Sequence, residues 1–255
     1  MSQHKATLGL TQSATFFTIL EGLGRIRLGG APAPLFIHTM TTVDPVRLAQ
    51  IGSSAPALLL TGEAEVIDVI MVTRTGDTEY MLTTHPQTCS EVLAWLEAHS
   101  TICDDDGLVF EGLELTDETE SLKTIAVYGS DSHGIVDDLA AHQLADTLGS
   151  GSSGLCELDG IPAFVLAYPL LPEGYFELSV APDLVALLEN ILLSFPEIDP
   201  SSFEEYRNAR LQAGTWFAGA EEAEYHGVDT PQLAALIRTA HDFVGARSLT
   251  KGTAD

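Results

Sequence analysis

The run Val66-Ile67-Asp68-Val69-Ile70-Met71-Val72-Thr73 is β-branched or apolar throughout, with Asp68 as its one charge. Arg74-Thr75-Gly76-Asp77 then reads as a turn, and Glu79-Tyr80-Met81-Leu82 as the returning strand. Such a pair is a hairpin, which commits this part of the chain to an antiparallel sheet. A carboxylate inside an apolar strand is costly to bury unless it is hydrogen-bonded or functional. Asp68 is therefore either a ligand-facing group or a residue on the solvent face of an edge strand. Its two apolar neighbours speak against the second reading.

Other strand patterns surround the hairpin. Gly24-Arg25-Ile26-Arg27-Leu28 alternates and stops at Gly29-Gly30. Leu108 to Leu115 alternates acids with apolar residues as a half-exposed strand would, and Lys123 to Tyr128, Pro162 to Tyr168 and Tyr175 to Val180 read as strands. Helices are expected over about 90–99, with Val92, Leu93 and Leu96 on one face, and over 137–148. Pro182 opens another through Leu193, with Leu184, Leu187, Leu188, Ile191 and Leu192 as one buried stripe. A further helix over 203–212 is closed by Gly214, and Thr230-Pro231 starts a last element. Gly149-Ser150-Gly151-Ser152-Ser153-Gly154 reads as a hinge, so residues 1–255 form one folded region with two interleaved subdomains as an option. Strands and helices mix without βαβ alternation, which indicates an α+β fold of antiparallel sheets with packed helices.

Charge narrows the partners. The chain carries 37 Asp and Glu against 11 Lys and Arg, a formal net charge of −26. The only lysines are Lys5, Lys123 and Lys251. Phosphate contacts need clustered cations, so neither a nucleic acid nor an anionic membrane surface is an expected partner. Hydrophobic residues make up 45%, enough to bury a core, which argues against disorder. The acids are spread along the chain, a pattern that suits adaptation to high salt better than one acidic binding patch. Cys89, Cys103 and Cys156 form no CxxC pair, and no signal-like or membrane-length apolar run occurs, so a cytoplasmic protein with reduced thiols and no metal is expected. No GxGxxG, P-loop or GxSxG motif is present.

Several short segments, in order, extend this reading. Gly24-Arg25-Ile26-Arg27-Leu28-Gly29-Gly30 is similar to an early strand of the glycine-cleavage T-protein (aminomethyltransferase) family. Thr41-Thr42-Val43-Asp44 resembles that family's LLTNDV segment, and Val66 to Val72 its ILDDLIV strand. Ala126-Val127-Tyr128-Gly129 stands where the family has ALQGP. Phe176-Glu177-Leu178 resembles GFEL, Arg210-Leu211-Gln212-Ala213-Gly214 resembles RLEAG, and Thr230-Pro231 and Asp242-Phe243-Val244-Gly245 resemble TP and DFIG. Together these span most of residues 20 to 249.

The resemblance implies a T-protein-like folate-binding fold that takes tetrahydrofolate in a central cavity. It implies a strand carboxylate, Glu177, as pterin anchor, Tyr168 as cavity wall although two extra residues separate it from that acid, and Arg210 as the arginine of RLEAG. The family's catalytic aspartate, the second acid of its DD pair, corresponds to Val69, and Asp68 matches the first. Asp68 is thus the available carboxylate for acid–base work, expected on the opposite face of the strand from Val69. Thr73 stands for a tyrosine, Glu21-Gly22-Leu23 for SHM, and Tyr206 for an upstream arginine. T-proteins continue past the position of Asp255 into a C-terminal β-barrel, which this chain is expected to lack. The sister branch of YgfZ-type folate-dependent proteins, which support iron–sulfur enzymes, carries a KGCYxGQE signature absent from residues 241–247. Two functions follow: a folate-dependent aminomethyl or methyl transferase, or a paralogue that binds folate without turnover. A third is an acidic partner-binding module without ligand.

Overall fold

The fold is described from a computed structural model over residues 14–141, 144, 149–168, 174–212, 231–238 and 242–251. One sheet has the strand order β10-β11-β12-β9-β1-β13. These strands are β1 (Thr15–Leu20), β9 (Lys123–Gly129), β10 (Ser153–Leu158), β11 (Ile161–Ala167), β12 (Tyr175–Val180) and β13 (Ile198–Pro200). The second sheet has the order β3-β4-β5-β2-β8, made of β2 (Gly24–Gly29), β3 (Ser54–Leu60), β4 (Val66–Arg74), β5 (Tyr80–Thr84) and β8 (Glu114–Asp117). A two-stranded ribbon joins β6 (Cys103–Asp104) and β7 (Gly107–Leu108). Every pairing is antiparallel except β1 with β13. The helices are α1 (Ala33–Met40), α2 (Cys89–Ser100), α3 (Ser132–Leu139), α4 (Val185–Leu192), α5 (Phe203–Gln212), α6 (Pro231–Ala234) and α7 (Ala246–Lys251). This is the α+β class that the sequence indicates.

Period-two alternation decides which face each helix covers. On the first sheet Ile125, Val127, Phe176, Leu178 and Val180 point outward, to Ile135, Val136 and Leu139 of α3 and Leu188 and Leu192 of α4. On the second, Ile26, Leu28, Ile70, Val72 and Leu82 pack against Phe36, Ile37 and Met40 of α1 and Val92 and Leu96 of α2. The opposite faces of the two sheets meet each other. Their shared layer is unusual for an interior because it is polar and aromatic. Arg25 crosses it from β2 to Thr124 on β9 and Ser179 on β12.

The hairpin of β4 and β5, the helix α2, the strand β9 and the proline-led helix α4 stand where the sequence places them. Three expectations change. Residues 108–115 are not one strand: Phe110 turns into the core, edge-on to Phe36 at 4.8 Å, and Gly112 is left-handed at φ +83. Its carbonyl lies where a side chain on Gly30 would sit, so this turn and the Gly29-Gly30 stop depend on each other. Second, α3 begins at Ser132 and ends at Leu139, earlier than expected, because Ser132 ties its start to the Gly129 and Gly174 carbonyls. Third, Leu187 is half exposed, leaving Leu188 and Leu192 as the fully buried part of the α4 stripe. Segment 149–154 is hydrogen-bonded to both sheets, through Gly151 N to Ala167 O, Ser54 N to Gly151 O and Ser153 N to Gly52 O. Residues 142–143 and 145–148 of the helix expected over 137–148, and residues 214 and 230, lie outside the described residues.

Candidate functional site

Glu177 is the centre of the shared layer. It lies in the middle of β12, between Leu166 of β11 and Ala126 of β9, and is 5% exposed. Its face carries Tyr175 and Ser179; Phe176 and Leu178 point the other way into the outer core. Among the described residues its hydrogen-bond partner is the Tyr175 hydroxyl, at 3.5 Å. A carboxylate can accept about four hydrogen bonds, so most of this capacity is unused. Burial raises its pKa, and the charges of Arg25 and then Arg210 offset only part of that rise.

Arg210 comes from α5, whose sequence Glu-Glu-Tyr-Arg-Asn-Ala-Arg places Tyr206 one turn before it. The guanidinium is buried, donates to the Tyr206 hydroxyl at 2.8 Å and to the Tyr168 hydroxyl at 2.6 Å, and lies 4.3 Å from the Tyr168 ring centre. Tyr175 and Tyr206 also face it, at 5.4 and 5.7 Å, and their hydroxyls hydrogen-bond each other. Burial opposes the charge of Arg210, but the surrounding tyrosine hydroxyls favour the charged form and outweigh that penalty. Burial also raises the pKa of the Tyr168, Tyr175 and Tyr206 hydroxyls, keeping them protonated past their ordinary range.

Arg25 is the residue that sequence reasoning missed. Alternation puts Arg25 and Arg27 on one face of β2, and a strand so charged reads as solvent-facing. Arg27 is indeed near the surface, paired with Glu118 at 2.7 Å. Arg25 instead is 3% exposed and donates to Thr124 at 2.6 Å, Ser179 at 2.8 Å and Thr83 at 3.2 Å. Its Nε is buried with no partner. The signal that could have found it is two arginines in one five-residue strand of a chain that holds only 11 basic residues.

Asp68 and Val69 part company. Asp68 pairs with Leu59 of β3 and lies on the helix-covered face with Ile70 and Val72. It is 1% exposed and its Oδ2 accepts from His85 N at 3.0 Å and Thr88 Oγ1 at 2.7 Å, tying down the turn before α2. Its Oδ1 is buried with no partner. Val69 pairs with Leu58 on the other face, among Leu60, Leu233 and Phe243. That is the side of β4 from which Met71 leads through Thr83 to Arg25. The structure thus brings Glu177, Tyr168, Arg210 and Arg25 to one layer. Asp68 reaches them only as a weak charge felt by Tyr168.

Burial pushes the Asp68 carboxyl from 3.8 to about 6, against the opposing hydrogen bonds of Thr88 and His85. The folded protein therefore binds a proton there that the unfolded chain has released. Stability present below about pH 4 is lost as pH rises to about 6, by roughly 3 kcal/mol for a shift of this size. Asp68→Asn is expected to remove this fall, leaving the pH dependence of other groups, Glu177 among them. Urea unfolding at pH 4 to 7.5 measures it; the same slope in both proteins would contradict the assignment.

Among the described residues no group of three His, Cys, Asp or Glu gathers as a metal site would require, and no helix is long and apolar enough to cross a membrane. The family model of the GCVT N-terminal domain matches residues 11–239. The chain belongs to this family. Aminomethyltransferase of Chlorobium limicola is 25% identical over 224 residues, 87% of this chain and 59% of that protein. Aminomethyltransferase of Chlorobium chlorochromatii is 23% identical over 241 residues, 93% of this chain and 62% of that protein. A third, from Chlorobium phaeovibrioides, is 25% identical over 150 residues, 59% of this chain and 38% of that protein. The chain thus spans less than two thirds of each of these relatives. The crystal structure of the glycine cleavage system aminomethyltransferase T from Bartonella henselae superposes with a TM-score of 0.78 at 18% identity, over 95% of this chain and 64% of that one. The GCVT-type fold is therefore shared.

Proposed function

We propose that this GCVT-family chain binds a reduced folate, with Glu177 accepting hydrogen bonds from the ring N–H and amino group of the pterin edge. The observation that carries the reading is a buried carboxylate with one long hydrogen bond, set beside two permanent cations. Such a group suits a ligand edge with two adjacent donors, which it accepts side by side. The residues fit a pterin in a second respect, because the buried Arg25 Nε offers a donor to a carbonyl. When bound, tetrahydrofolate supplies the nitrogen that takes a one-carbon unit. Tyr168, held by Arg210, forms an aromatic wall, and the buried layer excludes water. Relatives named aminomethyltransferases point to transfer of a one-carbon group, which suits this reading.

Binding without turnover is the stronger of the two functional readings. Proton transfer in the layer needs an acid or base within reach of the reacting nitrogen. Val69 on that face provides none, and Asp68, which would titrate near 6, is turned to the helix side and engaged by Thr88 and His85. Asp68 remains the carboxylate to test for an acid–base role, because its second oxygen is uncommitted. We expect Val69→Asp to gain measurable methylene transfer to tetrahydrofolate, at a stability cost of about 1–3 kcal/mol for placing a carboxylate among Leu58, Leu60 and Phe243. Robust transfer by the unmodified protein, abolished in Asp68→Asn, would overturn this reading and make Asp68 the catalytic group.

A further inference from the structure

We propose that Arg25 is the positioning residue of this site: anchored across the gap between the sheets, its guanidinium keeps the Glu177 carboxylate charged and ready to accept two donors. The inference rests on Glu177 as the ligand anchor and deepens that reading.

The anchoring is specific. Arg25 reaches from one sheet to two adjacent strands of the other, and Thr124 and Ser179, which receive it, are directly paired and hydrogen-bonded to each other at 3.0 Å. Ser179 lies two residues from Glu177 on the same strand face, so the guanidinium is held one side-chain position from the carboxylate. Thr83 from β5 fixes its other end. Three hydroxyls and no carboxylate bond this cation directly, which leaves its charge to act on Glu177 through a dry layer.

The groups that face Glu177 can be named element by element. Arg25 comes from β2, Arg210 and Tyr206 from α5, Tyr175 from β12 itself, Tyr168 from the end of β11, and Tyr128 from β9. Asp68 of β4 lies on the far face of its sheet. Arginines keep their protons, and the tyrosines are neutral. A neutral Glu177 would leave two buried cations without a counter-charge, so the carboxylate form is favoured. The two arginines differ in role: Arg210 is wrapped by tyrosines, whereas Arg25 has only hydroxyl partners and gives the larger opposite charge at Glu177. Loss of Arg25 would turn the acceptor-only carboxylate into a carboxyl with a donor of its own, which mismatches a two-donor ligand edge.

The test is a carboxyl 13C NMR titration of glutamate-labelled protein, with the Glu177 signal assigned by its absence in Glu177→Gln. In the wild type it should be ionised at pH 7.5. In Arg25→Gln its midpoint should rise by about 1–3 pH units, the usual effect of removing a close opposite charge. Arg25→Lys, which keeps the charge, should stay within about half a unit of wild type on the same ground. A protonated Glu177 in the wild type at pH 7.5 overturns the proposal and needs no variant to fold; an unmoved midpoint in Arg25→Gln also overturns it. Tetrahydrofolate affinity of Arg25→Gln should be weaker at pH 6.5 than at pH 8.5, where the Glu177 carboxyl ionises again, and the part that does not recover measures the lost Nε donor. If the wild type binds no folate, the ligand reading fails while the carboxyl titration still decides the role of Arg25.

Discussion

Glu177→Ala should bind tetrahydrofolate at least about a hundredfold more weakly than the wild type, since charge-assisted hydrogen bonds of this kind are each worth about 1.5–3 kcal/mol. It should also unfold more easily. Removing one partner of a buried ionic group leaves the others uncompensated, at a cost of about 3–5 kcal/mol. The two effects separate by measurement: calorimetry on folded protein reads affinity, and urea unfolding reads stability. A variant that loses stability but keeps affinity would show that Glu177 serves the sheet–sheet layer and not the ligand. Glu177→Gln keeps the volume and one acceptor, so it should fold better than Glu177→Ala and still bind poorly.

Arg210→Met should lose about 3–5 kcal/mol of stability. The guanidinium is fully buried and donates to the Tyr168 and Tyr206 hydroxyls, so a thioether in its place leaves two buried phenol oxygens without their donor. Its stacking on the Tyr168 ring, at 4.3 Å, is lost as well. Arg210→Lys should rescue only part of this, because an ammonium lacks the planar fork that serves two phenols at once. Full rescue by lysine would mean that charge alone matters at this position. Thermal unfolding of the three proteins distinguishes these outcomes, and Tyr168 placement can be followed through near-ultraviolet circular dichroism.

Much of this organisation is visible in the chain itself. An acid between Phe176 and Leu178, and another between Ile67 and Val69, cannot both point to water in apolar strands. Among the described residues Asp68 and Glu177 are indeed the only buried acids, although the chain has 37 Asp and Glu. Alternation also separates Asp68 from Val69 before any coordinates. Contacts made at long range in sequence are what escape. Arg25 has the same local pattern as Arg27, and only the facing sheet, nearly 100 residues later at Thr124, turns one arginine inward and leaves the other at Glu118. Residues 108–115 alternate like a strand, yet the edge-on contact of Phe110 with Phe36 and the close approach of Gly112 to Gly30 decide otherwise. The start of α3 likewise depends on carbonyls at Gly129 and Gly174, and the second of these lies 42 residues away.

The most direct test is a calorimetric comparison of tetrahydrofolate with an analogue lacking the pterin 2-amino group, on wild type and on Glu177→Gln, with and without molar salt. If Glu177 accepts that amino group, wild type should prefer tetrahydrofolate by about tenfold or more, the worth of one charge-assisted hydrogen bond, and Glu177→Gln should discriminate far less. Equal discrimination by the two proteins, or no saturable binding of tetrahydrofolate to the wild type, would contradict the account.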